Sequence, residues 1–240
     1  MLPATRASIA RIPAMNATVE NEIVEHLERD GVVIFTGMFS RDHIEQVKQD
    51  LAPHFDSDVV DQSGFFPSTT QRAAGLFSIS RVCVDLAMHP LYFTVANRML
   101  TSIYTFYRGS EKHTAISKSI ISSTVGFRVN PGGRQQELHR DDNDYHTRAC
   151  DRPMMIGCVT ALTRTHKNNG AEVFMAKGFY RQAENEYLMV PPERCKEIQL
   201  NPAELRVLGY GISQPSCGFV NYKDPMESVF GIIDDETIRM

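Results

Sequence analysis

The apolar positions at the start of the chain follow first a helical and then a strand spacing. A polar helix is predicted to end near Arg29, and Gly31 separates it from a short apolar strand at residues 32–34. Ser40 can cap a second helix. The apolar side chains of this second helix recur at three- and four-residue steps, at Ile44, Val47, Leu51 and Phe55. This spacing predicts one buried stripe, so we expect these positions to be scaffold.

The next segment lacks a regular apolar pattern. Residues 56–80 contain Gly64, Pro67 and a Ser/Thr cluster at residues 68–70, which is typical of an irregular loop. Helical spacing resumes over residues 86–100. Its apolar positions are Leu86, Leu91, Val95, Met99 and Leu100. The pattern predicts one long loop followed by one helix.

From about Ser119 the pattern has the two-residue period of a strand, which Pro131-Gly132-Gly133 ends. The next strand, Met154–Leu162, is apolar at nearly every position, as expected if both of its faces are covered. Asn168-Asn169-Gly170 can then form a tight hairpin turn into a strand at residues 171–175. The centre of the chain is therefore predicted to be an antiparallel β-structure.

The last part of the chain has the chemistry of short helices. Pro191-Pro192 can start one of them. Asn201-Pro202-Ala203-Glu204 combines a capping residue, a first-turn proline and a carboxylate three residues after the cap, and Gly209 can end that helix. No internal repeat is visible.

Composition narrows the class of protein. With 240 residues, of which 42% are hydrophobic, the chain suits a single domain spanning residues 1–240. A net charge of -4, without a basic run, argues against nucleic acid or an anionic membrane as partner. The start of the chain lacks the apolar core of a secretory signal, and no segment resembles a membrane span. Five scattered cysteines suit free thiols in a reducing compartment, so we expect a cytoplasmic protein.

One short motif suggests chemistry. In the segment QELHRDDNDYH, His139 and Asp141 have the H-x-D spacing that lets two side chains on a strand point in the same direction. Mononuclear iron that activates oxygen is commonly bound by two histidines and one carboxylate on one face of its octahedron. The pair would supply two of these three ligands, although the tripeptide alone is a weak signal.

Longer segments strengthen this interpretation. The chain resembles the phytanoyl-CoA dioxygenase-like family of iron and 2-oxoglutarate dependent oxygenases, and in particular its fungal members from meroterpenoid and alkaloid pathways. The segments that carry the resemblance are LERDGVVIFTGMFS, STVGFRVNPGGRQQELHRDDNDYH, IGCVTALTRTHKNNGA, GFYRQAENEYLMVPPERCKEI and RVLGYGISQPSCGFVNYKDPMESVFG. The resemblance implies a mainly β fold with flanking N- and C-terminal helices, around a double-stranded β-helix (jelly roll) core. It also implies that His139 and Asp141 bind Fe(II), and that Gln136 helps to hold 2-oxoglutarate.

The resemblance also implies residues that this chain lacks. A family member continues from NNGA through further strands, which carry a second iron-binding histidine and an arginine for the distal carboxylate of 2-oxoglutarate. Here NNGA runs almost directly into VFMAKGFYRQAENEY, and no histidine follows His166. His146 lies too close to Asp141, His166 is at a predicted hairpin end and His113 is in a predicted polar loop, so each is a poor substitute. The late arginines Arg181, Arg194 and Arg206 lie in the predicted helical tail, where we expect a surface role.

Three hypotheses remain open at this point. In the first, the chain is a catalytically incomplete homologue that acts as an accessory subunit of a full-length dioxygenase. A shortened β-helix exposes strand edges, which a full-length homologue or a second copy could cover in a dimer. In the second, it is an active dioxygenase that oxidises a hydrophobic terpenoid-like substrate, with an unconventional or partner-supplied third ligand. In the third, His139 and Asp141 only pack and no metal is needed.

Overall fold

The computed structural model describes residues 9–14, 19–58, 66–132, 139–142, 153–163 and 170–238, and all structural statements below concern these residues. Its elements in chain order are β1 Arg11–Pro13, α1 Val19–Asp30, β2 Ile34–Thr36, α2 Arg41–Asp56, β3 Thr70–Ala74, α3 Leu76–Ile79, α4 Arg81–Ala87, α5 Pro90–Leu100, β4 Ser102–Arg108, β5 Glu111–Ser117, β6 Ser119–Val129, β7 Met155–Thr160, β8 Gly170–Lys177, α6 Glu186–Met189, α7 Pro192–Glu197, α8 Pro202–Leu208, a π-helix at Met226–Phe230, and α9 Asp235–Ile238.

The centre of the fold is an antiparallel sheet with the strand order β3-β6-β8-β7. Strand β6 is its longest member and pairs with β3 on one side and β8 on the other. The strands β4 and β5 form a separate hairpin, and β1 and β2 form a short parallel pair. Helices from both ends of the chain flank the sheet, which confirms the expected antiparallel fold of jelly-roll type with flanking helices. The described residues contain one four-stranded layer of such a core.

One face of the sheet is packed against helices, and we call it the closed face. Leu51 and Phe55 of α2 are buried and lie directly over Gly126 of β6, where an added Cβ would approach Leu51 Cδ1 to 3.1 Å. The absence of a side chain at Gly126 therefore lets α2 pack closely on the sheet. The apolar stripe predicted for α2 is confirmed. So is its cap, because the Oγ atom of Ser40 accepts a hydrogen bond from the backbone N–H of His43 at 3.1 Å.

The hydroxyl group of Tyr92 connects α5 with the edge of the sheet. Tyr92 is buried, and its Oη atom lies 3.1 Å from the carbonyl oxygen of Ile156 on β7 and 2.9 Å from that of Val173 on β8. A buried phenol needs a hydrogen-bond acceptor, and here it finds two on neighbouring strands. Helix α5 is thereby fixed against both strands.

The C-terminal helices are joined to the helices that precede the sheet. Asn201 and Glu204 form the predicted capping box at the start of α8, and Gly209 ends this helix with φ 114°. Glu204 is buried, and its carboxylate accepts hydrogen bonds from the guanidinium of Arg81 on α4. This ion pair connects α8 to α4 across more than a hundred residues of sequence.

Several predictions about secondary structure are wrong. The segment 56–80 is not one loop, because β3 pairs with the edge of β6 and α3 follows it. The helix expected at residues 86–100 is broken, since His89 caps a new helix that starts at Pro90. Among the described residues β7 is the last strand of the sheet, and Val159 on it is 62% exposed, so its two faces are not both covered.

Other expectations concern thiols and membranes. Among the described residues, Cys83, Cys158, Cys195 and Cys217 are free thiols. Within the described part of the chain, helices are too short or too polar to cross a membrane. That residues 1–240 form one domain stays a prediction.

Candidate functional site

His139 and Asp141 lie beyond the turn that ends β6. Pro131 and Gly132 form this turn as predicted, whereas Gln136 lies outside the described residues. The Nε2 atom of His139 is 3.1 Å from Oδ1 of Asp141, and the two side chains are 37% and 53% exposed. They converge, but not on a strand as expected: residues 139–142 contain no strand, and Asp141 lies in a single helical turn. The structure thus brings the two predicted metal ligands together near the surface.

The geometry of this pair fits two neighbouring ligands of one metal ion. Metal–ligand bonds of about 2.1 Å at right angles place two donor atoms about 3 Å apart. The observed 3.1 Å is also an ordinary distance for a hydrogen-bonded ion pair. The distance alone therefore agrees with a half-formed metal site and with a simple pair.

A third ligand is not found in the described part of the chain. No group of three or more His, Cys, Asp or Glu side chains there is placed to hold a metal ion. Most described histidines have other contacts: His26 with Asp30, His43 and His89 with the ring of Phe39, and His113 with the ring of Phe106. His113 lies on β5 and not in a loop as predicted. His146 and His166 lie outside the described residues.

The late arginines have structural contacts that the sequence did not predict. Arg194 donates from Nε to the carbonyl oxygen of Ser78 at 2.8 Å and from Nη2 to that of Ile79 at 3.0 Å. Arg206 is only 13% exposed and donates to Asp224 at 3.1 Å and to Asp234 at 2.5 Å. The surface role expected for Arg206 is therefore wrong, because its guanidinium neutralises a fully buried carboxylate at Asp224. Arg181 is exposed, as expected.

The face of the sheet opposite the closed face has few covering groups among the described residues, and we call it the open face. Directly paired residues of antiparallel strands share a face, so Phe127, Phe174, Gly157 and Val159 lie together on it. The Phe174 ring lies over Gly157, where an added Cβ would come within 2.9 Å of it. At one end the ring of Phe66 lies 5.5 Å from that of Phe127. The open face and the edge of β7 together present apolar side chains and backbone groups.

Glu186 is a buried acid that the sequence analysis did not predict. The Oε1 atom of this residue accepts hydrogen bonds from the backbone N–H of Thr124 at 2.6 Å and from its hydroxyl at 2.8 Å. Its Oε2 atom is buried without a partner among the described residues. Burial raises the pKa of the Glu186 carboxyl to about 7, although the hydrogen bonds from Thr124 oppose the shift.

Comparison with known families identifies the relationship. The model of the phytanoyl-CoA dioxygenase (PhyH) family matches residues 27–207, three quarters of the chain and including His139 and Asp141. This chain belongs to the phytanoyl-CoA dioxygenase family. Family members generally use Fe(II) and 2-oxoglutarate. The family resemblance inferred from the sequence is thereby confirmed.

Individual relatives in this PhyH family have names that include dioxygenase. Dioxygenase peniF of Penicillium patulum is 25% identical over 308 aligned positions, which cover 99% of this chain and 97% of the relative. Dioxygenase himG of Aspergillus japonicus is 23% identical, with 93% and 91% of the two chains covered. Dioxygenase cnsJ of Penicillium expansum is 26% identical, with 91% and 84% covered.

The alignment lengths show that this PhyH chain is internally shorter than its relatives. It has 240 residues, so at least 68 of the 308 positions aligned with peniF have no residue in this chain. Both proteins are covered almost from end to end, so these gaps are internal. That these gaps form one block after NNGA, as expected from the sequence, stays a prediction.

The residues described by the structure do not complete the iron site that PhyH membership implies. They supply a histidine and a carboxylate at a suitable distance, but not a second histidine. Of the late arginines, Arg194 and Arg206 are already engaged with carbonyl groups and carboxylates. The fit to Fe(II) and 2-oxoglutarate is therefore partial.

Proposed function

We propose that this chain is a catalytically incomplete PhyH homologue that acts as an accessory subunit of a full-length dioxygenase in fungal secondary-metabolite biosynthesis of the meroterpenoid type. The observation that carries the proposal is the pair His139 and Asp141, which has no third donor among the described residues. Two protein ligands hold iron poorly, because each ligand lost weakens the metal complex.

The engaged arginines support the same conclusion. A 2-oxoglutarate carboxylate is bound best by an arginine that can offer two parallel N–H groups. The guanidinium of Arg206 forms ion pairs with Asp224 and Asp234. That of Arg194 donates hydrogen bonds to the backbone carbonyl oxygens of Ser78 and Ile79. Releasing either group to a co-substrate would leave partly buried carbonyl oxygens or the buried carboxylate of Asp224 without their donors.

The open face and the β7 edge are the surfaces we propose for the partner. A full-length relative, or a second copy of this chain, would cover Phe127, Phe174 and Val159 and pair with the side of β7 that has no strand partner in the described part of the chain. Longer PhyH relatives have at least 68 residues that this chain lacks, enough for several strands of the usual five to six residues. The interface would therefore replace part of the missing core.

Co-expression tests the accessory role. The chain carries an affinity tag and is produced together with an untagged full-length PhyH dioxygenase from the same genome. We expect the two to co-purify in a defined ratio, and the dioxygenase to have higher turnover with this subunit than without it. Failure of every such dioxygenase of the genome to co-purify, together with a monomeric state of the chain, would refute the accessory role.

The second candidate function is an active dioxygenase that oxidises a hydrophobic terpenoid-like intermediate. The 3.1 Å separation of His139 Nε2 and Asp141 Oδ1 favours it, because this is the spacing of two adjacent metal ligands. The third ligand would come from a partner or from residues outside the described ranges. Conversion of 2-oxoglutarate to succinate by the isolated chain, lost in Asp141→Ala, would support this candidate over the accessory role.

We also propose a cytoplasmic location. The four described cysteines are free, and two of them, Cys83 and Cys195, are buried, as is usual for proteins kept in a reducing compartment. A fluorescent fusion distributed evenly through the cytoplasm is the expected result, and accumulation in the secretory pathway would contradict it.

A further inference from the structure

A cavity of about 760 Å³ lies at the end of β6 where Ser119 begins the strand. Its walls come from α5, the segment after β8, α8 and the loop at residues 211–218. The turn that leads to His139 is at the other end of β6. The 11 residues of this strand span roughly 33 Å, at about 3.3 Å per residue. The cavity is therefore a separate place from the candidate metal site.

Apolar and aromatic side chains form much of the cavity wall. They include Phe93, Ile120, Phe179, Tyr187, Val207 and Ile212. Phe179 is 45% exposed and Tyr187 is 37% exposed, and the ring of Phe179 lies 4.7 Å from that of Tyr180. Partly exposed aromatic rings around a concave opening are typical of small-molecule sites. A flat apolar ligand could stack on them.

Among the described residues of the cavity wall, one cation remains for a ligand. Lys118 pairs with Glu236, and Arg206 is held by Asp224 and Asp234. Arg181 also lines the cavity, is exposed, and forms no ion pair with another described residue. An anionic group of a ligand would therefore meet Arg181.

We propose that this cavity binds an amphipathic organic anion, with an aromatic or polycyclic apolar body against Phe179 and Tyr187 and a carboxylate or sulfonate at Arg181. The volume lies within the 300–1,000 Å³ that small-molecule sites usually have. Nothing in the proposal requires iron or a partner chain, so it stands independently of the proposed accessory function.

Two dyes that differ in one charged group test the proposal on the full chain. The anionic dye is 8-anilinonaphthalene-1-sulfonate, and the neutral dye is N-phenyl-1-naphthylamine, which lacks the sulfonate. Both are titrated by fluorescence into the wild type and three variants. Arg181→Gln removes the cation, Ala203→Trp places an indole at the cavity wall on α8, and Ala52→Trp is the matched control on the exposed side of α2.

We expect Arg181→Gln to weaken binding of the anionic dye about fivefold, which is the effect of one exposed charge contact, and to leave the affinity for the neutral dye unchanged. Ala203→Trp should lower the affinity for both dyes by tenfold or more, whereas Ala52→Trp should change neither affinity. Bound dye should also slow alkylation of Cys217, which is exposed at the cavity wall, as followed by peptide mass spectrometry. Equal binding to wild type and Ala203→Trp, or alkylation of Cys217 that is not slowed by dye, would overturn the proposal. The proposal would also be overturned if Arg181→Gln left the affinity for the anionic dye unchanged.

Discussion

The carboxylate of Glu186 accepts two hydrogen bonds from a single residue, Thr124, through its Oε1 atom. Glu186 begins α6. Thr124 lies on β6 immediately before Val125, the first residue of β6 in the chain that pairs with β3. The buried acid therefore replaces a strand partner at this point of the sheet. Its buried Oε2 atom makes charge costly there, which has a measurable consequence.

The first prediction concerns the pH dependence of stability. Burial raises the pKa of Glu186 from 4.5 to about 7 in the folded chain. The folded state then binds this proton more tightly than the unfolded state, so the contribution of Glu186 to stability is largest below pH 4.5 and is lost as the pH rises through about 7. The contribution amounts to at most roughly 3 kcal/mol. Urea unfolding at pH 5 and pH 8 should show lower stability at pH 8.

The variant Glu186→Gln should lose this part of the pH dependence, because the amide cannot ionise and its oxygen can still accept from Thr124. Glu184→Gln is the control, since Glu184 is exposed on the same segment. If the free energy of unfolding changes by the same amount between pH 5 and pH 8 in the wild type and in Glu186→Gln, the assignment to Glu186 is contradicted.

The second prediction concerns the hydroxyl group of Tyr92. Tyr92→Phe removes the donor that lies between the carbonyl oxygens of Ile156 and Val173. We expect a loss of about 1 kcal/mol in the free energy of unfolding, because the buried hydrogen bond of the hydroxyl group is lost. Tyr104→Phe, at a position 56% exposed, should change it by less than about 0.5 kcal/mol. Equal effects of the two substitutions in urea unfolding would refute this role of Tyr92.

The third prediction concerns Arg206. Replacing it by Ala leaves Asp224, which is fully buried, without its guanidinium partner. We expect a destabilisation of about 3–5 kcal/mol. Arg181→Ala is the matched control, and it should cost less than about 0.5 kcal/mol because Arg181 is exposed. If thermal and urea unfolding of Arg206→Ala resemble those of Arg181→Ala, Arg206 has the surface role first expected from the sequence.

The fourth prediction concerns the proposed partner surface. Val159→Lys places a charge on the exposed face of β7, where a partner would otherwise bury an apolar side chain. Co-purification with a full-length dioxygenase, or self-association in sedimentation, should fall at least tenfold while the unfolding midpoint stays within error. Val32→Lys is the control, at an exposed valine outside the sheet. Association that survives Val159→Lys would place the interface elsewhere.

The sequence predicted those parts of the fold that depend on local patterns. The stripe of Leu51 and Phe55 on α2 and the capping box of Asn201 and Glu204 are determined within a few residues, and both are confirmed. Strand β3 was missed because its sequence, TQRAA, has no strand pattern of its own. It is a strand because β6 offers it an edge, which is a tertiary effect.

The candidate site was predictable only in part. The H-x-D spacing identified His139 and Asp141, and the structure places them 3.1 Å apart. Their role as metal ligands stays a prediction, as does the role of Gln136, which lies outside the described residues. Arg206 was misjudged because its partners, Asp224 and Asp234, are 18 and 28 residues away and carry no pairing signal in the sequence.

The most direct test of the central claim is the iron content of the purified chain. The protein is loaded anaerobically with Fe(II) and 2-oxoglutarate, passed through a desalting column and analysed by mass spectrometry for metal. The account predicts far less than one iron per chain for the isolated protein, and no further loss in Asp141→Ala. One tightly held iron per chain that is lost in Asp141→Ala would contradict it.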